Sequence, residues 1–258
     1  MTAGTATVGH AAAITAAVAG LALIVHYVIE RRYVRRAIRA MIGGTESIES
    51  AAGEWLALRL ASVLHTTVPR IQDPIFLHPL LGPLGATPGQ ILRSGGCCSG
   101  MGRILIVGCN ELGIRAAQLT LNNRSDEEYQ HCIVETWADG RPTLIDPDYG
   151  LQFVDADGGP LRLEALQASV EPHIRPLPGK ETAAYPDHPA YNWDYRKTNT
   201  ANWKKSLPRR AAHRVLMAVT RGGIDRWRQP VALEWPQLVL ASGLFGLAAM
   251  IEALRVFL

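Results

Sequence analysis

Three residue types able to carry out thiol chemistry follow one another along the chain: the pair Cys97 and Cys98, then His131, then Asp146 and Asp148. A thiol becomes a nucleophile when a base takes its proton, and the base works best when a third group fixes its orientation. The cysteine pair lies in Ser-Gly-Gly-Cys-Cys-Ser-Gly-Met-Gly-Arg, residues 94–103. Beyond it Met101, Ile104, Leu105, Gly108 and Leu112 recur at helical spacing and predict one buried helix stripe. Gly113 is placed to end that helix. Cys98 therefore falls in the first turn, where unpaired backbone N–H groups carry partial positive charge and favour a thiolate.

The base and its orienting group belong to a predicted hairpin. His131-Cys-Ile-Val-Glu-Thr-Trp137 alternates between two faces, Asp139-Gly140 is a turn signal, and Thr143-Leu-Ile-Asp146 returns before Pro147. A two-residue turn sets residues whose numbers add to 279 opposite one another. His131, Ile133, Asp146 and Asp148 then share one face, with Cys132 on the other. His131 faces Asp148 directly and Asp146 diagonally, so either carboxylate is within reach.

Around this centre the composition is uneven. The 258 residues carry a formal net charge of +3, yet residues 40–195 hold ten basic and nineteen acidic side chains. Five arginines fall within 31–39, and ten Lys or Arg against Asp225 fall within 196–228. Next to these basic flanks lie two apolar runs, residues 11–29 and 238–258, each long enough to cross about 30 Å of hydrocarbon. No basic segment precedes the first run, which is the wrong charge order for a cleaved signal peptide. The arginines predict a two-pass protein with both termini outside and the body cytoplasmic; an outward-facing body is the alternative. Glu252 and Arg255 interrupt the second run at a spacing that lets them pair. Ala12, Ala16 and Gly20, with Ser242 and Gly246, are small residues suited to close helix contact. The basic clusters fit anionic lipid rather than nucleic acid.

Four cysteines without a C-x-x-C pair predict neither a disulfide framework nor a metal finger. Residues 45–64 read as a helix with Ile48, Ala52, Trp55, Leu56 and Val63 on one face. Residues 66–95 read as loop or short helical pieces between prolines, 122–130 as a surface loop, and 151–195 as a mixed segment with short strands. The aromatic stretch 185–203 reads as an ordered loop or lid.

Gly96-x-Cys98, the small residue Gly102, Leu112-Gly113-Ile114-x-Ala116, His131-x-x-Val134-Glu135 and Leu144-x-Asp146-Pro147 together resemble the transglutaminase-like superfamily, over roughly residues 46–150. The chain departs from the family at Gly102, where alanine is usual. The resemblance implies an α+β, papain-like core, with a nucleophile helix packed on a small antiparallel sheet. Here N- and C-terminal transmembrane helices would flank it. It implies Cys98 as nucleophile, with Gly96 two residues before it, His131 as general base and acid, and Asp146 as orienter. It requires no cofactor and no metal. By loose analogy Gln90 is a candidate oxyanion donor, beside the Cys98 backbone N–H. The expected division is a membrane helix over 1–30, basic segments at 31–45 and 196–235 around a catalytic domain at 46–195, and a membrane helix over 236–258. The implied function is a membrane-anchored cysteine hydrolase or acyltransferase acting on a peptide or amide through a thioester. The alternative is an inactive scaffold that binds a membrane-protein partner.

Overall fold

The computed structural model describes residues 3–43, 52–71, 85–123, 130–138, 140–168, 173–179, 193–199, 207–220 and 228–257. It is a mixed α+β structure. Helix α1 (Ala3–Met41) is followed by α2 (Gly53–Thr67), α3 (Pro88–Ser94) and α4 (Cys98–Glu111). Strands β1 (Arg115–Asn123), β2 (Gln130–Ala138), β3 (Arg141–Asp146) and β4 (Leu151–Val154) come next. After them lie α5 (Leu163–Ala168), β5 (His173–Pro176), β6 (Trp193–Asn199), α6 (Leu207–Thr220), a short 3-10 turn (Val231–Glu234) and α7 (Pro236–Phe257). The strands form one antiparallel sheet in the order β5-β4-β3-β2-β1-β6.

Two cores cover the two faces of the sheet. On one, Val134, Ala138 and Ile145 meet the apolar sides of α1, α2, α3 and α4. On the other, Leu119, Leu121, Ile133, Leu144 and Phe153 meet α5 and the β6 aromatics Trp193 and Tyr195. Neighbouring residues of one strand point to opposite faces, so β2 is buried nearly throughout. The β2–β3 register pairs Ala138 with Arg141 and Val134 with Ile145, which is the sum of 279 that the turn signal predicts. Gly140 takes φ +74, a left-handed conformation suited to glycine. Asp139 lies outside the described residues, as do the predicted lid residues 185–192 and 200–203.

Several expectations change. Residues 193–199 form an edge strand on β1 rather than a loop. Asn122 and Asn123 belong to β1, a strand absent from the helix-then-loop reading of this stretch. The buried face of α2 is Leu56, Ala57, Leu60, Ala61 and Leu64, while Trp55 is exposed. Ile48 lies outside the described residues.

The predicted division at residue 30 is not a break. The 39 residues of α1 reach about 58 Å, far more than hydrocarbon needs. The surplus runs on into the body, where Glu30, Val34 and Ile38 bury one face at four-residue spacing. Val8–Met41 and Pro236–Arg255 are long and apolar enough to cross a membrane, and most of their surface stays uncovered by protein. Val18, Leu21 and Ile29 on α1, and Met250 and Leu254 on α7, are more than half exposed, unlike core residues. The two helices run antiparallel. Glu30 and Gln237 are hydrogen-bonded at one end, and at the other His10 Nδ1 lies 2.8 Å from Glu252, which also pairs with Arg255 at 2.9 Å. Ala13, Ala16 and Gly20 make the α1 contact face, with Gly20 against the Phe245 ring. Ser242 and Gly246 are exposed; Ala241 takes the buried place.

Helix α4 ends as its sequence requires. Gly113 (φ +77) donates to Asn110 O at 3.1 Å, and Ile114 donates to Cys109 O at 2.8 Å, the double bond of a Schellman cap. A Cβ added at Gly102 would meet only Val134, at 3.5 Å, an ordinary contact. A Cβ at Gly95 (φ +95) would fall 2.4 Å from Pro69 O. Gly102→Ala should therefore raise stability by about 1 kcal/mol, the usual helix-interior gain over glycine. Gly95→Ala should lower it by more than about 2 kcal/mol. Thermal melting of the full chain checks both; a loss at Gly102→Ala would mean α4 packs closer to β2 than the structure has it.

Candidate active site

Cys98 is the first residue of α4 and Cys97 its N-cap, with no side-chain cap bond there. The approach is held by a short parallel bridge. Gly96 N–H donates to Pro69 O at 3.0 Å, and Ile71 N–H donates to Gly96 O at 3.1 Å. Pro69 can approach this closely because Gly95 has no side chain. Cys98 is half-buried at the helix terminus, and its thiol is near enough to His131 to help raise the imidazole pKa.

His131 stands second in β2 and is buried. Its Nε2 lies 2.7 Å from Asp146 Oδ2. The other Asp146 oxygen accepts backbone N–H bonds from Asp148 and Tyr149, each at 3.0 Å. Both oxygens are thus committed, and the chain reversal at Pro147 is tied to the same carboxylate. The hairpin alone allows either aspartate, and tertiary contacts choose Asp146. Asp148 turns instead to Arg70 Nη2 at 3.0 Å, leaving its buried Oδ1 without a hydrogen-bond partner among the described residues.

The imidazole is enclosed by aromatic rings. Trp193 stacks on it, with centroids 5.4 Å apart and 22° between planes, and Tyr149 leans on it at 5.1 Å and 57°. Arg70 lies 4.6 Å above the Tyr149 ring, so Arg70 links Asp148 to the wall of the histidine site. Trp193, Tyr149 and Arg70 escape the sequence reading. Only Trp193 gave a signal, as part of an aromatic-rich stretch. Gln90 is placed elsewhere in function: its carboxamide oxygen accepts from Thr87 N at 2.8 Å while Gln90 N donates to Thr87 Oγ1 at 3.3 Å, a complete capping box for α3.

Burial and neighbouring groups perturb Cys97, Asp148 and His131. The Cys97 thiol is pushed up to about 12, first by its hydrogen bond with Cys98 and then by burial, so at neutral pH it remains a donor beside Cys98. Asp148 is raised, chiefly by burial and then by the charge of Asp146, with Arg70 opposing. Burial pulls the His131 pKa down, but the charge and hydrogen bond of Asp146, with the Cys98 contact added, outweigh it, and the result lies well above the ordinary histidine value. Cys132 Sγ points away from this centre and accepts from Gln118 Nε2 at 3.1 Å.

A histidine whose folded pKa is raised contributes stability that is complete below the unfolded value and lost as pH rises through the folded one. Melting temperature should therefore fall in the wild type as pH rises above the ordinary histidine value of about 6.5. Asp146→Asn, which removes the main cause of the shift, should flatten that slope and lower stability at its acidic end. Equal slopes in the two proteins would show that the imidazolium is not held by Asp146.

No protein-family model, no curated protein and no solved structure matches the chain, and the resemblance to the transglutaminase-like superfamily is carried by the motif residues alone.

Proposed function

We propose that the chain is a two-pass, membrane-anchored cysteine hydrolase or acyltransferase of transglutaminase-like, papain-like type, acting on a peptide or amide carbonyl. The observation that carries this reading is the His131–Asp146 pair at 2.7 Å, its carboxylate held by two backbone N–H groups, with Cys98 at the N-terminus of α4 and near enough to act on the imidazole. With Nε2 on Asp146, Nδ1 is the nitrogen that exchanges a proton with Cys98. With its pKa raised, His131 already holds that proton as an imidazolium beside the Cys98 thiolate, and the sulfur attacks the carbonyl carbon. The oxyanion so formed meets the Cys98 backbone N–H, unpaired at the start of α4. Collapse breaks the carbon–nitrogen bond, the imidazolium protonates the departing amine, and a thioester remains on Cys98. Water or a second amine then gives its proton to His131, attacks the thioester and frees the thiol. Gln90, committed to the α3 cap, is not needed as the oxyanion donor.

The scaffold reading draws on the burial of His131 beneath Trp193 and Tyr149. Cys98, a residue only half-buried, is what a substrate reaches in the catalytic reading. Thiol alkylation separates the two. Cys109 is buried and pushed up to about 12, Cys132 is buried, and Cys97 is held as a thiol. Fast labelling by iodoacetamide near neutral pH should therefore report Cys98. Cys98→Ala should abolish it, and His131→Ala should slow it by at least about tenfold. Equal rates in wild type and His131→Ala would remove the activated nucleophile and leave the scaffold.

The cytoplasmic placement of the body rests on the arginines that follow the apolar run within α1, of which Arg31 and Arg35 also bind Glu111 of α4, at 2.6 and 3.7 Å. An alkaline phosphatase fusion should be inactive at residue 40 and active at the C-terminus. The reverse pattern would put the body outside.

A further inference from the structure

A cavity of about 380 Å³ lies far from the sulfur, between the end of α4, the start of β1 and the segment that leads into α7; Asn110, Gly113, Arg115, Arg228, Pro230 and Val231 are among its walls. Among the described residues, its charged wall residues are both arginines. Arg115 and Arg228 stand over one ring, Trp137 of β2, at 4.6 and 5.6 Å. Among the described residues, the carboxylates that act on them or on their partners are these. Glu135 of β2 accepts from Arg228 Nε at 2.6 Å and is raised by burial against the pull of Arg228, and Glu164 of α5 acts on Glu135. Glu111 of α4 is already taken by Arg31 and Arg35. Among the described residues, Arg31, Arg35, Arg115 and Arg228 stand against Glu111, Glu135 and Glu164 at this end of the body.

The level of the cavity is set by the helices. Glu30 and Gln237 are hydrogen-bonded, so residues 30 and 237 stand side by side, with the apolar spans beyond them. Arg31, one residue on, reaches Glu111, the neighbour of Asn110 in the cavity wall. Pro230 and Val231 come a few residues before α7 begins. The cavity thus opens where the apolar helices enter the body, at headgroup depth for a bilayer around those helices. Its Arg–Trp–Arg arrangement suits that depth, where tryptophan is favoured and cations meet anionic lipid.

We propose that this cavity binds the phosphodiester headgroup of an anionic phospholipid, with the Arg115 and Arg228 guanidinium groups on the phosphate oxygens. The site seats the body against the bilayer at the end of α4 opposite Cys98, and the proposal does not depend on the thiol chemistry. Native mass spectrometry of the full chain in mixed micelles tests it, with phosphatidylglycerol or phosphatidylcholine as probe and inorganic phosphate as competitor. The wild type should retain phosphatidylglycerol about tenfold more strongly than phosphatidylcholine. Arg115→Gln should abolish that preference and Arg115→Lys restore part of it, while Arg36→Gln, an exposed arginine of α1 away from the cavity wall, should keep it. A melting curve on Arg115→Gln confirms that the exposed substitution leaves the fold intact. Equal retention of the two lipids, or equal losses at Arg115 and Arg36, would overturn the proposal. Displacement of phosphatidylglycerol by inorganic phosphate at equal affinity would overturn the lipid assignment in favour of a soluble phosphate.

Discussion

A buried arginine in the middle of an apolar helix constrains everything around it. Arg103 of α4 donates through Nε to Glu234 Oε2 at 3.1 Å and through Nη1 to Ala86 O, and Gln229 Nε2 holds the other Glu234 oxygen at 2.8 Å. Both charged side chains are almost fully removed from solvent. A pair of this kind adds little net stability over well-packed apolar residues, but losing one partner strands a charge and costs about 3–5 kcal/mol. Its consequence is register. Helix α4 can take one position along its axis against the segment feeding α7 and against the loop before α3.

A second polar cluster does the same for the first helix. The Glu30 carboxylate receives the Thr87 hydroxyl, the Gly89 N–H at 2.8 Å and the Gln237 amide. A Cβ at Gly89 would displace the Glu30 carboxylate from this cluster. One carboxylate thus joins α1, the first turn of α3 and the first turn of α7, while Tyr27 and Trp235 pack edge to face beside it at 5.0 Å. From Gly89 the chain runs through the seven residues of α3 to Gly95 and directly on to Cys98. The two apolar helices are therefore not tethers on flexible cord. They share buried polar contacts with the elements that aim the proposed nucleophile.

At the site itself, burial serves two opposed ends. Enclosing His131 between Trp193 and Tyr149 excludes water and penalises the imidazolium, and the Asp146 carboxylate at 2.7 Å reverses that penalty. Asp146 can serve because its second oxygen is satisfied by two backbone N–H groups, leaving one oxygen directed at the ring. Asp148, two residues on, keeps one buried oxygen without a partner among the described residues, compensated only in part by Arg70. Two neighbouring aspartates acquire different tasks from geometry alone.

Short-range signals account for what was legible without coordinates. The stripe from Met101 to Leu112 and the glycine after it specify α4 and its cap, and the Asp-Gly turn specifies the β2–β3 register down to the residue pairs. Those two units place Cys98, His131 and both aspartates, and the apolar runs mark α1 and α7. What stayed hidden depends on partners far apart in sequence. Trp193 meets His131 through a strand that pairs with β1, Arg103 meets Glu234 across 131 positions, and Glu30 meets Gln237 across 207. Local periodicity carries no information about such pairs, because a charged residue on an apolar stripe reads the same whether it faces solvent or a distant carboxylate. The choice of Asp146 over Asp148, and the run of α1 past the predicted boundary, were decided only when the folded body supplied the groups that satisfy them.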